Sequence, residues 1–325
     1  MRAIQVHQFG DPSVLTVDEI PTPVPGPGQV QVAIKAIGVN PVETYIRSGR
    51  YAVLPPLPFI PGSDGAGTIS ALGAGVTEWV VGDRVFFHGT ALGRAYGSYA
   101  EFAVCDAAHV YRLPANVGYP HGAAIGVPYA TAYLALVQRA QPKSGDILLV
   151  HGASGGVGIA AVQIGRWKGL GVIGTAGTED GLELVRANGA HFAVSHRAAL
   201  YHDQIREAAN HGRGPDIILE MLANENLDAD LDMIATKGRI VIIGSRGKIE
   251  VDPRKIMAKD SWVTGLMLWN TSYQDLAGVY AELARGLADG VLVPVVGQEL
   301  PLNEAAKAHE AVLHQRAYGK TVLVP

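Results

Sequence analysis

One cysteine in 325 residues, Cys105, removes two kinds of architecture at once. No internal disulfide can form, and neither a Cys-x-x-Cys zinc site nor a four-cysteine metal lobe can be assembled. An excess of one charge is also missing. The 26 Lys and Arg against 30 Asp and Glu leave a net charge of −4 without a basic block, which weighs against a nucleic-acid surface. No apolar run approaches the roughly 18 residues needed to span a bilayer, so no membrane role is expected. The opening MRAIQVHQFG has neither an apolar signal core nor an arginine-rich presequence, and a cytoplasmic location is the expectation.

Glycine, by contrast, is plentiful, and it is concentrated where it matters in ILLVHGASGGVGIAAVQIGRWKG at 147–169. Residues 147–150 form a short apolar run bounded by the turn-forming Ser144-Gly145-Asp146, the pattern of a strand buried on both faces. A glycine cluster follows, and then Ile159, Ala160, Val162 and Ile164 at helical spacing. Strand, glycine turn and helix open a dinucleotide-binding unit. The backbone has to turn sharply and approach a pyrophosphate, whose charge then rests on the open N–H groups of the helix N-terminus. Two frames fit: Gly156-x-Gly158-x-x-Ala161, or Ala153-x-Gly155-x-x-Gly158. Both place Gly158 at a close approach. Tight turns use glycine without any ligand, but a match that follows a buried strand and opens a helix is far more specific.

Residues 1–122 carry short apolar runs at 3–6, 30–37, 68–72, 85–87 and 100–104, separated by Pro/Gly clusters at 21–28 and 55–67. They predict a β-rich, barrel-like first domain. Within it, Asn40-Pro41-Val42-Glu43 supplies an N-cap, a first-turn proline and an acid three residues on, so a brief helix is expected over 42–48. From 123 the texture changes to helical periodicity at 129–137, then strands at 172–176, 217–220, 240–244 and 263–268. Helices are expected between them at 180–188, 200–210 and 227–236. This predicts an α/β class, a doubly wound Rossmann sheet over 123–272. Residues 273–325, with helices at 273–288 and 303–314 and a strand at 321–324, are expected to return to the first domain.

An acid at the end of the second strand selects NAD by binding the ribose hydroxyls. Gly177 stands there instead, and Glu179 and Asp180 come late enough to serve the first turn of the next helix. A site without that acid can admit the 2′-phosphate of NADPH, with Ser195, His196 and Arg197 as candidate donors. Taken by position alone, His196 and Arg197 could equally be solvated loop residues.

Nearly the whole chain resembles the zeta-crystallin-like quinone oxidoreductases, a zinc-independent branch of the medium-chain dehydrogenase/reductase superfamily. The residues that carry the resemblance include GVNPVETYIRSGRY at 38–51, PGSDGAG at 61–67, AAIGVPYATAY at 123–133, VHGASGGVG at 150–158, EMLAN at 220–224 and GSRGKIEVDPRKIMAK at 244–259. The resemblance implies a GroES-like catalytic domain beside the Rossmann domain, with NADPH in the cleft between them. It also implies cofactor contacts from Tyr45, Ser154, Gly155, Gly156, Val157, Gly158, Gly177, His196, Asn226, Ile243, Gly244, Ser245, Arg246, Leu266, Met267 and Leu268, with Thr131 near the nicotinamide. A homodimer or a homotetramer is implied as well, and the apolar run WVTGLML at 262–268 reads as its pairing edge.

Zinc-dependent relatives place Cys before the first short helix and Gly-His-Glu after the proline; this chain has Asn40 and Gly62-Ser63-Asp64. No ligand spacing links His88, His109, His121 and His151, so no metal is expected, and each is read as a surface or satisfied core histidine. Without a Lewis acid, a hydride must pass to an acceptor that is already electrophilic, such as a quinone. Asn40 and Tyr45 are the candidate donors to the acceptor oxygen, against the plainer roles of helix cap and helix packing. The resemblance implies one-electron reduction of ortho-quinones to semiquinones. The alternatives are an NADPH-dependent enone or enoyl-thioester reductase, and a structural crystallin or AU-rich RNA-binding role.

Overall fold

The computed structural model describes residues 1–88, 97–209, 212–313 and 318–325. The chain divides into two compact units: Met1–Val127 with Tyr280–Pro325, and Pro128–Val279. The expected ends of two helices, Asn210 and His314, lie outside the described residues.

In the first unit, β1 (Arg2–Val6) and β2 (Leu15–Glu19) form an antiparallel pair. The long β3 (Gln29–Gly38) alternates buried and half-buried positions over its first half, sending Val30, Val32 and Ile34 into the core. Helix α1 (Pro41–Arg47) follows at once. Pro41 sits at its first position, and Glu43 Oε2 accepts the Asn40 N–H at 2.8 Å. Next come β4 (Asp64–Leu72), β5 (Arg84–His88), β6 (Phe102–Asp106), β7 (Val110–Arg112) and α2 (Tyr119–Ala123), and α3 (Gly126–Tyr133) carries the chain into the second unit.

The second unit alternates strand and helix: β8 (Ile147–Val150), α4 (Gly156–Trp167), β9 (Gly171–Ala176), α5 (Glu179–Ala187), β10 (Phe192–Ser195), α6 (Tyr201–Ala208), β11 (Ile217–Glu220), α7 (Ala223–Met233), β12 (Arg239–Ile242), α8 (Pro253–Lys259) and β13 (Trp262–Gly265). The strands are parallel, in the order β10-β9-β8-β11-β12-β13. From β8 the chain winds outward one way, then returns to β11 and winds the other way. Loops diverge where that direction reverses, leaving the crevice in which this fold takes ligands. Strands as apolar as ILLV and IILE are covered on both faces, and Leu149, Ile173, Ile218 and Ile240 share one core cluster.

After α9 (Tyr273–Ala288), the chain adds β14 (Val296–Pro301), α10 (Ala305–Ala311) and β15 (Lys320–Val324) to the first unit. Its sheet runs β14-β15-β3-β4-β5-β7, with β6 also pairing β3. Several boundaries differ from the sequence reading. The strand expected over 263–268 ends at Gly265; the Leu266 N–H still donates to Ile242 O at 2.9 Å, but Leu268–Asn270 curls into a 3₁₀ turn. Helix α7 starts at Ala223, ahead of the apolar residues that mark its buried face. The polar strands β2, β7 and β14 have no apolar run to announce them.

Candidate active site

At the C-terminal end of β8 the backbone folds back through Gly152 (φ +57). A Cβ on Gly158 would lie 2.4 Å from Gly152 O and 2.6 Å from Ala153 Cα, both backbone atoms, so no other residue fits there. Position 155 is not so constrained: a Cβ would meet only Gly152 O, at 3.6 Å. No side chain caps α4. The first-turn N–H groups of Gly156, Val157 and Gly158 have no carbonyl to meet inside the helix, and with the helix dipole they make an anion cradle. Ser154, Gly155, Gly156 and Val157 are half-buried around it.

Gly177 follows β9, and the chain after β10 comes up against it. A Cβ there would stand 2.7 Å from His196 Nε2 and 3.3 Å from Arg197 Nε, and the His196 N–H donates to Ala176 O at 3.1 Å. Two basic side chains thus gather where an acid would select NAD. Desolvation holds the His196 pKa below its ordinary value, with the nearby Arg197 and His151 adding to the effect.

The remaining expected contacts follow the same edge of the sheet. Asn226 lies in the first turn of α7, and its Nδ2 donates to Glu220 Oε1 at 3.1 Å. After β12, the Ile243 and Gly244 N–H groups both donate to Glu220 O, at 2.8 and 3.2 Å, and a Cβ on Gly244 would strike Met221 O at 2.4 Å. Ser245 and Arg246 are tied to Asn224, the latter by its N–H at 2.7 Å. Leu266, Met267 and Leu268 follow β13, with Met267 exposed and Leu268 buried. Thr131 is buried in α3, away from these strand ends in the chain.

Directly beneath the glycine turn is a group that the sequence reading divided between unrelated segments. His151 Nε2 lies 2.9 Å from Asp230 Oδ1 and 3.6 Å from Glu220 Oε2, and all three residues are buried. Burial opposes a charge on His151, but the two carboxylates win and raise its pKa. Desolvation pushes the Glu220 pKa up to about 7. Among the described residues, these three alone bring potential metal-ligand atoms within 4.8 Å of one another. The His151 ring nitrogen already lies against both carboxylates there.

In the first unit, Tyr45 is half-buried on α1, whereas Asn40 is 2% exposed and fully engaged. Its Nδ2 donates to Glu43 Oε1 (3.1 Å) and Asp64 Oδ2 (2.9 Å), and its Oδ1 accepts from Lys320 Nζ. Both Nδ2 hydrogens are in use, an arrangement that suits the plainer role of Asn40 in holding α1. Lys320 Nζ also reaches Asp64 Oδ2 at 3.0 Å, and the other Asp64 oxygen accepts the Val127 N–H at 2.8 Å. Glu43 further accepts from the Ser63 N–H (2.9 Å) and the Tyr99 hydroxyl (2.8 Å), which itself meets His309 Nε2 at 3.1 Å. Burial holds the His309 pKa down to about 3, so it is neutral. A cavity of about 190 Å³ bordered by His121, Leu287 and Pro294 includes none of these groups.

A chain with this cradle and this topology can be compared with known proteins. Residues 156–285 match the zinc-binding dehydrogenase family, and residues 26–115 match the alcohol dehydrogenase GroES-like domain. Human quinone oxidoreductase is 47% identical over 100% of this chain and 98% of its own length. The chain belongs to the quinone oxidoreductase family of the medium-chain dehydrogenase/reductases. Two solved structures, each covering 100% of both chains at 30% identity, are an NAD-dependent alcohol dehydrogenase (TM-score 0.94) and Escherichia coli quinone oxidoreductase complexed with NADPH (TM-score 0.89).

The first matched family is described as zinc-binding, and the donor set of this member does not fit zinc. Asn40 and Ser63 stand at the matching ligand positions, and the buried Lys320 ammonium already lies against Asn40 and Asp64. Sequence reasoning missed Lys320, Tyr99, Glu220 and Asp230, and read Glu43 only as the acid of the helix cap. The available signal was a charged residue closing or opening an apolar strand, as in IILE and KTVLV.

Proposed function

We propose that the protein is an NADPH-dependent quinone oxidoreductase acting in the cytoplasm. One observation supports the cofactor most directly: a glycine at position 177 faces His196 and Arg197 where a carboxylate would repel a 2′-phosphate. NADPH supplies a hydride equivalent when bound. The N–H groups of Gly156, Val157 and Gly158 hold the pyrophosphate, and His196 and Arg197 receive the 2′-phosphate. Asn226, the turn from Ile243 to Arg246 and the segment Leu266 to Leu268 orient the rest of the cofactor, and Thr131 stands by the nicotinamide. The Tyr45 hydroxyl donates to the acceptor as charge develops on its oxygen. Position is the protein's main contribution, because a quinone needs no metal to polarise it. A second copy pairs through the edge strand β13, giving a homodimer or a tetramer of such pairs.

The test is a set of initial rates with NADPH against ortho-quinones, para-quinones, enones and simple aldehydes, run on wild type and Tyr45→Phe. Quinones are expected to turn over and aldehydes are not. Tyr45→Phe should lower quinone turnover by up to roughly a hundredfold if the hydroxyl acts on developing charge, and only a few-fold if the ring merely packs. Brisk aldehyde reduction with inert quinones would overturn the assignment; faster turnover of enones would move it to the enone reductases.

A further inference from the structure

The buried group under the glycine turn is joined to the cradle on two sides. On one side the Gly152 N–H donates to Thr175 Oγ1 at 3.2 Å, and that oxygen lies 3.4 Å from His151 Nδ1. On the other, Glu220 Oε1 accepts from the Leu222 N–H and from Asn226 Nδ2 (3.1 Å), while the Glu220 backbone carbonyl holds Ile243 and Gly244. Glu220 Oε2 and Asp230 Oδ2 are buried without a hydrogen-bond partner. Two carboxyl groups with idle oxygens beside one imidazole have room for one more proton than the imidazolium carries.

We propose that Glu220, with His151 and Asp230, is a positioning residue for the cofactor: its carboxyl group shares an exchangeable proton within the cluster, and nucleotide affinity follows the cluster's charge. This rests on the dinucleotide reading of the site. A proton on Glu220 makes the cluster one unit less negative. Without it, that added negative charge lies under a site that binds a polyanion.

The direction follows. Glu220, raised by desolvation to about 7, is mostly protonated below that pH and ionised above it, so affinity falls as pH rises through neutrality. The other titratable groups facing the cluster are Tyr201 and His202 on α6 and His196 after β10. Burial holds the two histidines below their ordinary values and raises the tyrosine. By reciprocity, bound nucleotide draws the proton more tightly onto Glu220.

The experiment is a fluorescence titration of NADPH and of NADH between pH 6 and 8.5, on wild type, Glu220→Gln and Asp230→Asn. NADH removes any contribution from the 2′-phosphate. Wild-type affinity for both nucleotides should fall several-fold with rising pH, by no more than about tenfold per pH unit, the limit for a single proton. Glutamine keeps an acceptor for Leu222 and Asn226 and stays neutral, so the Glu220→Gln profile for NADH should be flat. In Asp230→Asn one carboxylate is gone, His151 holds Glu220 ionised further into acid, and the midpoint should move down. Parallel profiles in all three proteins would overturn the linkage alone; a wild type that binds neither nucleotide at any pH would overturn the functional reading and the linkage together.

Discussion

Lys320→Met tests the polar network that anchors the first unit. The ammonium group is almost wholly buried, with 4% of the side chain exposed, and Asp64 is fully buried at 3.0 Å. Methionine fills nearly the same volume, so the perturbation is the charge and its hydrogen bonds rather than a cavity. It strands the Asp64 carboxylate with only Asn40 Nδ2 and the Val127 N–H, and leaves Asn40 Oδ1 without its donor. Breaking a buried pair by removing one partner costs about 3–5 kcal/mol, against a total stability of roughly 5–15 kcal/mol for a native protein. A urea unfolding curve followed by tryptophan fluorescence should show that loss as a lower midpoint. Adding Asp64→Asn should recover a large part of it, because the stranded charge disappears and the two changes share one interaction. A deficit under about 1 kcal/mol, or two strictly additive effects, would refute the view that Lys320 is there to compensate Asp64.

Two further outcomes follow. In Gly177→Asp the new Cβ meets the movable ends of His196 and Arg197, so the variant should fold, while its carboxylate repels the 2′-phosphate. NADPH affinity in a binding titration should then drop by about 10–100-fold with NADH little affected, the loss expected for a charge-assisted contact; unchanged preference would remove Gly177 from the discrimination. Trp262 is 68% exposed on the edge strand β13, and Trp262→Lys should convert an oligomer into monomers by analytical sedimentation. A wild type that is monomeric at micromolar concentration would dismiss the pairing edge.

The parts of this molecule legible in its sequence are those where local chemistry and structure coincide. The strand–glycine–helix run around Gly158 could be read directly, since steric demand on one residue leaves a mark at that residue. Strands such as IILE and RIVI stood out because burial on both faces requires unbroken apolar runs. The polar strands left no such mark, and the apolar run at 262–268 overstated β13 because hydrophobicity records burial and not where the backbone leaves the sheet. The site's electrostatics were illegible for a different reason. His151 and Asp230 are 79 residues apart, and Lys320 is 280 residues from Asn40. His151 was readable only as a surface or satisfied core histidine, and its partners were named only by the fold.

The same separation bears on how the protein is made. β15 pairs with β3 and β14 and carries Lys320, so the cation that balances Asp64 is synthesised after the whole of the second unit. A nascent chain emerging from the ribosome holds β3, α1 and β4 long before their counter-charge exists. The Rossmann unit has all of its strands within Pro128–Val279 and can close first. The sheet of the first unit therefore stays incomplete until its last strand is delivered.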